Sequence, residues 1–105
     1  MYKNEDQENY GLPGNGDHYF LKLFVTGASP NSSRAISNIK SICETNLFGK
    51  YKLEIIDVYQ QPISARREQI IALPLLIRKF PLPERRFIGD LSDTLKVLKG
   101  LDIEI

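Results

Sequence analysis

The order of apolar and polar residues in the first half of the chain predicts a strand, a helix and a second strand. Residues 19–25 are apolar on both faces, which is typical of a strand in the centre of a covered sheet. Ser29 and Pro30 provide the cap and first position of a helix with one apolar face, and Gly49 is its expected end. Residues 51–58 form the next strand, so the three elements predict a right-handed βαβ unit with parallel strands.

The second half predicts shorter elements. A short helix over residues 64–71 must end before Pro74, because proline disfavours helical geometry in the residue that precedes it. Residues 75–77 and 86–88 are short strands on either side of a turn that contains two prolines. This spacing favours a hairpin.

The last helix is predicted to begin at Asp90, whose carboxylate can cap it, and to end at Gly100. Its apolar residues are Leu91, Leu95 and Leu98. Residues 101–105 alternate between apolar and acidic, as in a strand, but they also continue the helical stripe. The pattern leaves the structure of this tail open.

The predicted order of strand, helix, strand, helix, proline, strand, strand and helix is that of a thioredoxin-like α/β domain. Residues 18–105 supply one such domain. Residues 1–17 are polar and rich in glycine and asparagine, so we expect a disordered arm.

The charge distribution and the cysteine content indicate the kind of partner surface and the cellular compartment. The net charge is +1, but residues 66–86 contain six basic and two acidic residues, which indicates either an acidic partner or a solvated face. The single cysteine rules out an internal disulfide and fits a reducing compartment. No apolar run is long enough to span a bilayer, and the start lacks the order of a signal peptide, so we expect a cytoplasmic protein.

The candidate chemical groups do not predict an enzyme. Thioredoxin-type catalysis needs Cys-x-x-Cys between the first strand and helix, where this chain has Gly27-Ala28-Ser29-Pro30. Cys43 lies on the apolar face of the first helix as a core residue, and the lone His18 has no second metal ligand or nucleophile beside it. No dinucleotide or phosphate-binding loop is present, so we expect no cofactor and no metal.

Nucleic-acid binding is the remaining chemical alternative. Basic residues between 78 and 86 alternate with Phe80 and Phe87, an arrangement that can stack on bases. The low net charge and the lack of a recognised motif argue against it.

Two stretches share a specific pattern with one known family. Residues 21–27 read Leu-Lys-Leu-Phe-Val-Thr-Gly and are followed by Ser-Pro-Asn-Ser, and residues 85–93 read Arg-Arg-Phe-Ile-Gly-Asp-Leu-Ser-Asp. Gly-Leu-Asp at residues 100–102 continues the pattern. On these residues the chain resembles the KaiB family of the circadian clock, over about residues 19–103.

The resemblance implies a binding protein without activity of its own. KaiB proteins bind the ring of the hexameric ATPase KaiC, and in cyanobacteria they sequester KaiA and compete with a thioredoxin-like sensor kinase domain. The family has two folds: a ground state, usually a homotetramer, with a rearranged carboxy-terminal half (β-α-β-β-α-α-β), and a thioredoxin-like monomer that binds KaiC. The switch residues implied here are Gly89 and Asp90.

The resemblance also supplies candidate contacts with a KaiC-like ATPase. They are Lys22, Arg34, Glu54, Arg85 and Arg86. Cyanobacterial members tend to have a basic residue in place of Glu54, which predicts a divergent homologue. The alternative hypothesis is a redox-inactive thioredoxin-like sensor domain of a signalling system.

Overall fold

The computed structural model describes residues 18–103. The arm predicted over residues 1–17 therefore lies outside the described residues. The elements in chain order are β1 (Tyr19–Val25), α1 (Pro30–Asn46), β2 (Tyr51–Asp57), α2 (Pro62–Arg67), β3 (Leu75–Phe80), β4 (Arg85–Ile88) and α3 (Thr94–Gly100). None of these helices is long and apolar enough to cross a membrane.

The strands form a mixed sheet in the order β2-β1-β3-β4. β1 pairs with β2 in parallel, with Tyr19 opposite Tyr51, whereas β3 runs antiparallel to both β1 and β4. The predicted βαβ unit and hairpin are confirmed. The order of the elements is that of the predicted thioredoxin-like α/β domain.

One face of the sheet is covered by α1 and α3. Leu21, Leu23 and Val25 of β1 point toward this layer, because alternate residues of a strand share a face. Their helical partners include Ala35, Ile39, Ile42, Cys43, Val97 and Leu98. Cys43 is confirmed as a core residue, and its burial raises the pKa of the thiol to about 12, so it stays protonated at neutral pH.

The other face of the sheet is only partly covered. Phe24, Ile56, Leu75 and Ile77 form a second apolar cluster there. The segment from Val58 to Leu73, which includes α2, packs over it through Val58, Ala65, Ile70 and Leu73. The remainder of this face carries charged side chains and the exposed Ile88 of β4.

The second helix is shorter than predicted. It spans Pro62–Arg67 rather than residues 64–71, because Gln69 adopts a left-handed conformation with φ +57°. The Ile70 N–H then bonds back to the Ala65 carbonyl at 3.1 Å. This turn directs Ile70 onto the sheet.

The predicted start of the last helix at Asp90 is wrong. α3 begins at Thr94 and is capped by Asp93, whose carboxylate accepts the Lys96 N–H at 3.2 Å. Leu91 has φ +62°, outside helical geometry, and Leu95 is 61% exposed, so Leu91, Leu95 and Leu98 do not form one helical stripe. Val97 and Leu98 form the buried face of α3 instead.

The predicted end of the last helix at Gly100 is confirmed, and this glycine also has a packing role. It is the last residue of α3, and a Cβ at this position would lie 2.1 Å from Cε2 of Phe87. The absent side chain lets α3 approach β4 closely. In the tail, Leu101 is buried and the Ile103 N–H bonds to the Leu98 carbonyl at 2.9 Å, so residues 101–103 turn back on the helix.

Candidate protein-binding surface

Six charged side chains meet on the partly open face of the sheet, and we call them the charged belt. The strand register places Lys22 between Glu54 on one side and Ile77 on the other, and Ile77 lies opposite Arg86. Glu68 and Glu84 join from the flanking loops. The belt consists of Lys22, Glu54, Glu68, Lys79, Glu84 and Arg86.

Glu68 is the centre of the charged belt. Its carboxylate oxygens lie 3.1 Å from Lys79 Nζ, 3.8 Å from Lys22 Nζ and 3.7 Å from Arg86 Nη2. Arg86 also donates to the Glu68 backbone carbonyl at 2.7 Å. The Glu68 side chain is only 18% exposed, so water solvates it little. These three cations supply most of the stabilisation of its charge.

The outer carboxylates complete the network. Glu84 lies 3.2 Å from Lys79 and 3.5 Å from Arg86, and Glu54 lies 3.9 Å from Lys22. Burial lowers the pKa of Lys79, but its hydrogen bonds to Glu68 and Glu84 outweigh this effect and hold the pKa above its usual value. The pairs made by the more exposed Glu54 and Glu84 each contribute about 0–1 kcal/mol, so their main effect is to orient the side chains.

The belt changes the interpretation of the basic second half. Lys79 and Arg86 are compensated within the molecule. Among the described residues, the basic side chains of this stretch without an ion pair are Arg66, Arg67 and Arg85. These uncompensated basic side chains lie at the end of α2 and at the start of β4.

The structure brings together three of the five predicted contact residues. Lys22, Glu54 and Arg86 belong to the belt. Arg85 points to the opposite face, since it pairs with Arg78, which lies on the helix-covered side. Adjacent residues of a strand face opposite sides of the sheet, so Arg85 and Arg86 do not form one patch.

Arg34 lies on α1 and contacts the loop between β4 and α3. Its Nε is 3.2 Å from Asp90 Oδ2, and it also bonds to Asn31. Asn38 donates to the Asp90 backbone carbonyl at 2.8 Å. Asp90 thus ties this loop to α1, which is the role it takes in place of the predicted helix cap.

The two predicted switch residues have unusual local environments. Gly89 has φ +114°, a conformation that side-chain-bearing residues rarely adopt, and its N–H bonds to the Pro74 carbonyl at 3.0 Å. The Asp90 carboxylate accepts the Ser92 N–H at 3.0 Å. Hydrogen bonds from Ser92, and then the Arg34 guanidinium, lower the pKa of Asp90. Both residues line an open groove of about 440 Å³ between β4 and α3.

Sequence analysis did not single out Glu68 or the exposed apolar residues near the belt. Tyr59, Ile63 and Ile71 are exposed on the segment that covers this face of the sheet, and Ile71 is 93% exposed. The only sequence signal for Glu68 is one acidic residue directly after two arginines. Its position at the centre of the belt depends on the left-handed turn at Gln69.

The loop at which thioredoxins carry their redox cysteines has a different chemistry here. Ser29 accepts the Ser32 N–H at 3.1 Å, and Ser32 Oγ accepts the Thr26 N–H at 3.0 Å. The first bond supplies an acceptor for a free backbone N–H group in the first turn of α1, and the second closes the turn after β1. The only cysteine, Cys43, is buried in the last turn of the same helix.

Comparison with known protein families identifies one match over most of the chain. Residues 22–103 match the model of the KaiB domain. The chain is 51% identical over 85 residues to the circadian clock oscillator protein KaiB of Synechococcus elongatus, an alignment that covers 81% of this chain and 83% of that protein. It is also 51% identical over 83 residues to the circadian clock protein KaiB3 of Synechocystis, covering 79% and 81%.

Solved structures agree with the fold. The amino-terminal domain of SasA from Synechococcus elongatus has a TM-score of 0.65 and 25% identity, and the match covers 81% of this chain and 84% of that one. Chloroplastic thioredoxin z gives a TM-score of 0.67 at 16% identity, with coverage of 95% and 91%. The chain therefore has a thioredoxin-like α/β fold with a mixed sheet.

Proposed function

The chain belongs to the KaiB family, and from this premise we propose that it is a non-enzymatic regulatory protein that docks on a KaiC-like ATPase ring. The observation that carries the proposal is the charged belt, which places Lys22, Glu54 and Arg86 on one partly open face of the sheet. The family membership indicates the kind of partner, and the belt supplies a surface suited to it. Timing or stress signalling is the setting that we propose for this interaction.

The belt suits a reversible protein interface. Its cations are already oriented by Glu68, so a partner carboxylate can approach them without first ordering long side chains. Complementary charges of this kind speed association and select the partner more than they add affinity. Apolar contact area comes from Ile63 and Ile71 on the same side of the sheet.

Arg34 and Arg85 form the second part of the proposal. They lie away from the belt, on the helix-covered side of the sheet, and both are exposed. We propose that they contact a different subunit or partner from the one that meets the belt. KaiA and a competing sensor kinase are the candidates that family membership suggests.

We further propose that the chain also forms a homotetramer in which its carboxy-terminal half is rearranged. Gly89 and Asp90 are the proposed hinge, because one has a positive φ and the other links the loop to α1. Two packings of one sequence are both populated only if their free energies differ by no more than a few kcal/mol. A cytoplasmic location is part of the same proposal.

The test is the solution mass of the purified protein, alone and with a hexameric KaiC homologue and ATP. We expect a complex of protein and ring, and a tetramer in the absence of the ring. Arg86→Gln should weaken ring binding by about tenfold, since a charge contact is lost. Lys40→Gln, an exposed position on the opposite layer, is the matched control and should bind like the unmodified protein.

A monomer that never enters a complex with the ring would overturn the proposal. If the Arg86→Gln and Lys40→Gln variants bound the ring with equal affinity, the charged belt would not be the binding surface. In the first case the redox-inactive sensor domain would be favoured, an alternative supported by the similarity to the SasA domain. The higher identity to KaiB proteins favours the first proposal.

A further inference from the structure

Arg78 is a charged residue in the core of the molecule. Its side chain is 1% exposed and lies on the helix-covered face of the sheet, opposite Leu21 of β1. It is not part of the charged belt, and family resemblance assigned it no role. A fully buried arginine needs an explanation, because burying a charge is unfavourable unless every donor is paired.

The pairing of Arg78 is incomplete. Its Nε has no hydrogen-bond partner in the structure. Its one carboxylate partner, Asp102 at 3.1 Å, is 59% exposed and so is itself well solvated. Replacing buried ion pairs by apolar residues of similar size is often neutral or stabilising, so overall stability does not account for this side chain.

The remaining bonds of Arg78 show what it connects. Nη1 donates to the Leu101 carbonyl at 3.1 Å, and Nη2 donates to the Pro83 carbonyl at 2.7 Å. Leu101 and Asp102 form the turn after α3, whereas Pro83 lies in the turn between β3 and β4. One guanidinium therefore joins the two turns of the carboxy-terminal half to the centre of β3.

We infer that Arg78 is a latch that holds the turn after α3 against the sheet and thereby selects the thioredoxin-like arrangement. The fork of the guanidinium reaches the carbonyls of both turns at once, which a lysine ammonium does with poorer geometry. The orphan Nε keeps the latch weak enough to open while β1, β2 and α1 stay folded. The use of this opening for a change of fold depends on the proposed function, but the latch itself does not.

The test is residue-resolved amide hydrogen exchange on Arg78→Met in the full chain. The amides of Leu101 and Ile103, which bond within α3 and its turn, should exchange about tenfold faster, the effect typical of losing a charge-assisted hydrogen bond. Amides of β1 should keep their rates. Arg78→Lys should give an intermediate increase, and Lys79→Met, on the opposite face of β3, should leave Leu101 and Ile103 unchanged.

Two results would overturn the inference. They are an equal acceleration at all amides, which would make Arg78 an ordinary core residue, and no acceleration at Leu101 and Ile103. Asp102→Asn is the second variant. Because the Asp102 side chain is exposed, we expect this variant to fold, and the same two amides should exchange faster. The exchange rates are measured without the ring, so they do not depend on ring binding. Failure of the proposed function can therefore be distinguished from failure of this inference.

Discussion

The two halves of the molecule are held together in different ways. In β1, α1 and β2, continuous apolar packing joins neighbouring elements, and the parallel strands stay in register over their full length. β3, β4 and α3 share this apolar packing through Leu76, Leu91, Val97, Leu98 and Leu101, and they also have individual connections of other kinds. These are the buried Arg78, the link from Arg34 to Asp90, the close approach at Gly100, and left-handed residues at Gly89, Leu91 and Asp102.

This difference indicates how one half can move while the other stays folded. Apolar packing is non-directional and spread over many contacts, whereas a single polar link or a single glycine can decide one local arrangement. The carboxy-terminal half therefore has a small number of positions at which its arrangement can be changed. The amino-terminal half has a comparable buried polar link at Ser32, whose Oγ accepts the Thr26 N–H.

The largest expected effect comes from breaking the amino-terminal half. Leu23→Ala removes a fully buried side chain from β1 and should lower the free energy of unfolding by about 2–5 kcal/mol. Urea denaturation followed by circular dichroism measures this. Leu95→Ala, at an exposed position of α3, is the control and should stay within about 0.5 kcal/mol of the unmodified protein. Similar losses in both variants would contradict the difference in burial between these two positions.

A smaller effect is expected where α3 meets β4. In Gly100→Ala the new methyl group meets the ring of Phe87, and overpacking of this kind costs about 1–3 kcal/mol. Amide exchange should show that the loss of protection is confined to α3 and β4. Adding Phe87→Leu makes room for the methyl group and should restore much of the protection. An unchanged Gly100→Ala variant would rule out this packing role.

Two glycines permit a matched comparison of the halves. Gly49 and Gly89 both have positive φ, and a Cβ at either would meet nothing within 4 Å. Alanine should cost about 1–2 kcal/mol at Gly49, whose φ of +75° is near the left-handed helical region, and more at Gly89, whose φ of +114° lies outside it. We expect Gly49→Ala to lower stability without changing the solution mass, and Gly89→Ala to change the ratio of tetramer to monomer. If both variants had the same solution mass, Gly89 would not act as part of the proposed hinge.

The smallest effect is a dependence on pH. Because the pKa of Asp90 is lowered on folding, its contribution to stability is present above the usual aspartate pKa of about 3.9 and is lost as the pH falls through the folded value. Stability measured between pH 5 and pH 3 should decrease less in Asp90→Asn than in the unmodified protein. Arg34→Gln should raise the pKa of Asp90 toward its usual value. Parallel pH profiles for the Asp90→Asn variant and the unmodified protein would contradict this link.

The amino-terminal half was predictable because each of its elements has a strong local signal. The apolar run of β1, the cap at Ser29 and the periodicity of α1 were all confirmed, and together they give the βαβ unit. The order of the remaining elements also followed from local pattern. These features suffice for the thioredoxin-like fold class.

The details of the carboxy-terminal half were not predictable from local pattern. Asp90 and Asp93 are equally good caps in sequence, and the choice of Asp93 depends on the distant partners Arg34 and Asn38. The separation of Arg85 from Arg86, by contrast, follows from the alternation of side chains along β4 alone. The burial of Arg78 depends on contacts across the sheet that no local pattern encodes.

The central claim is that the carboxy-terminal half opens separately from the amino-terminal half. Residue-resolved hydrogen exchange of the unmodified protein under native conditions tests it most directly. We expect the amides of β4 and α3 to open with a clearly smaller free energy than those of β1 and α1, as two cooperative units. A single opening free energy shared by all four elements would contradict the claim.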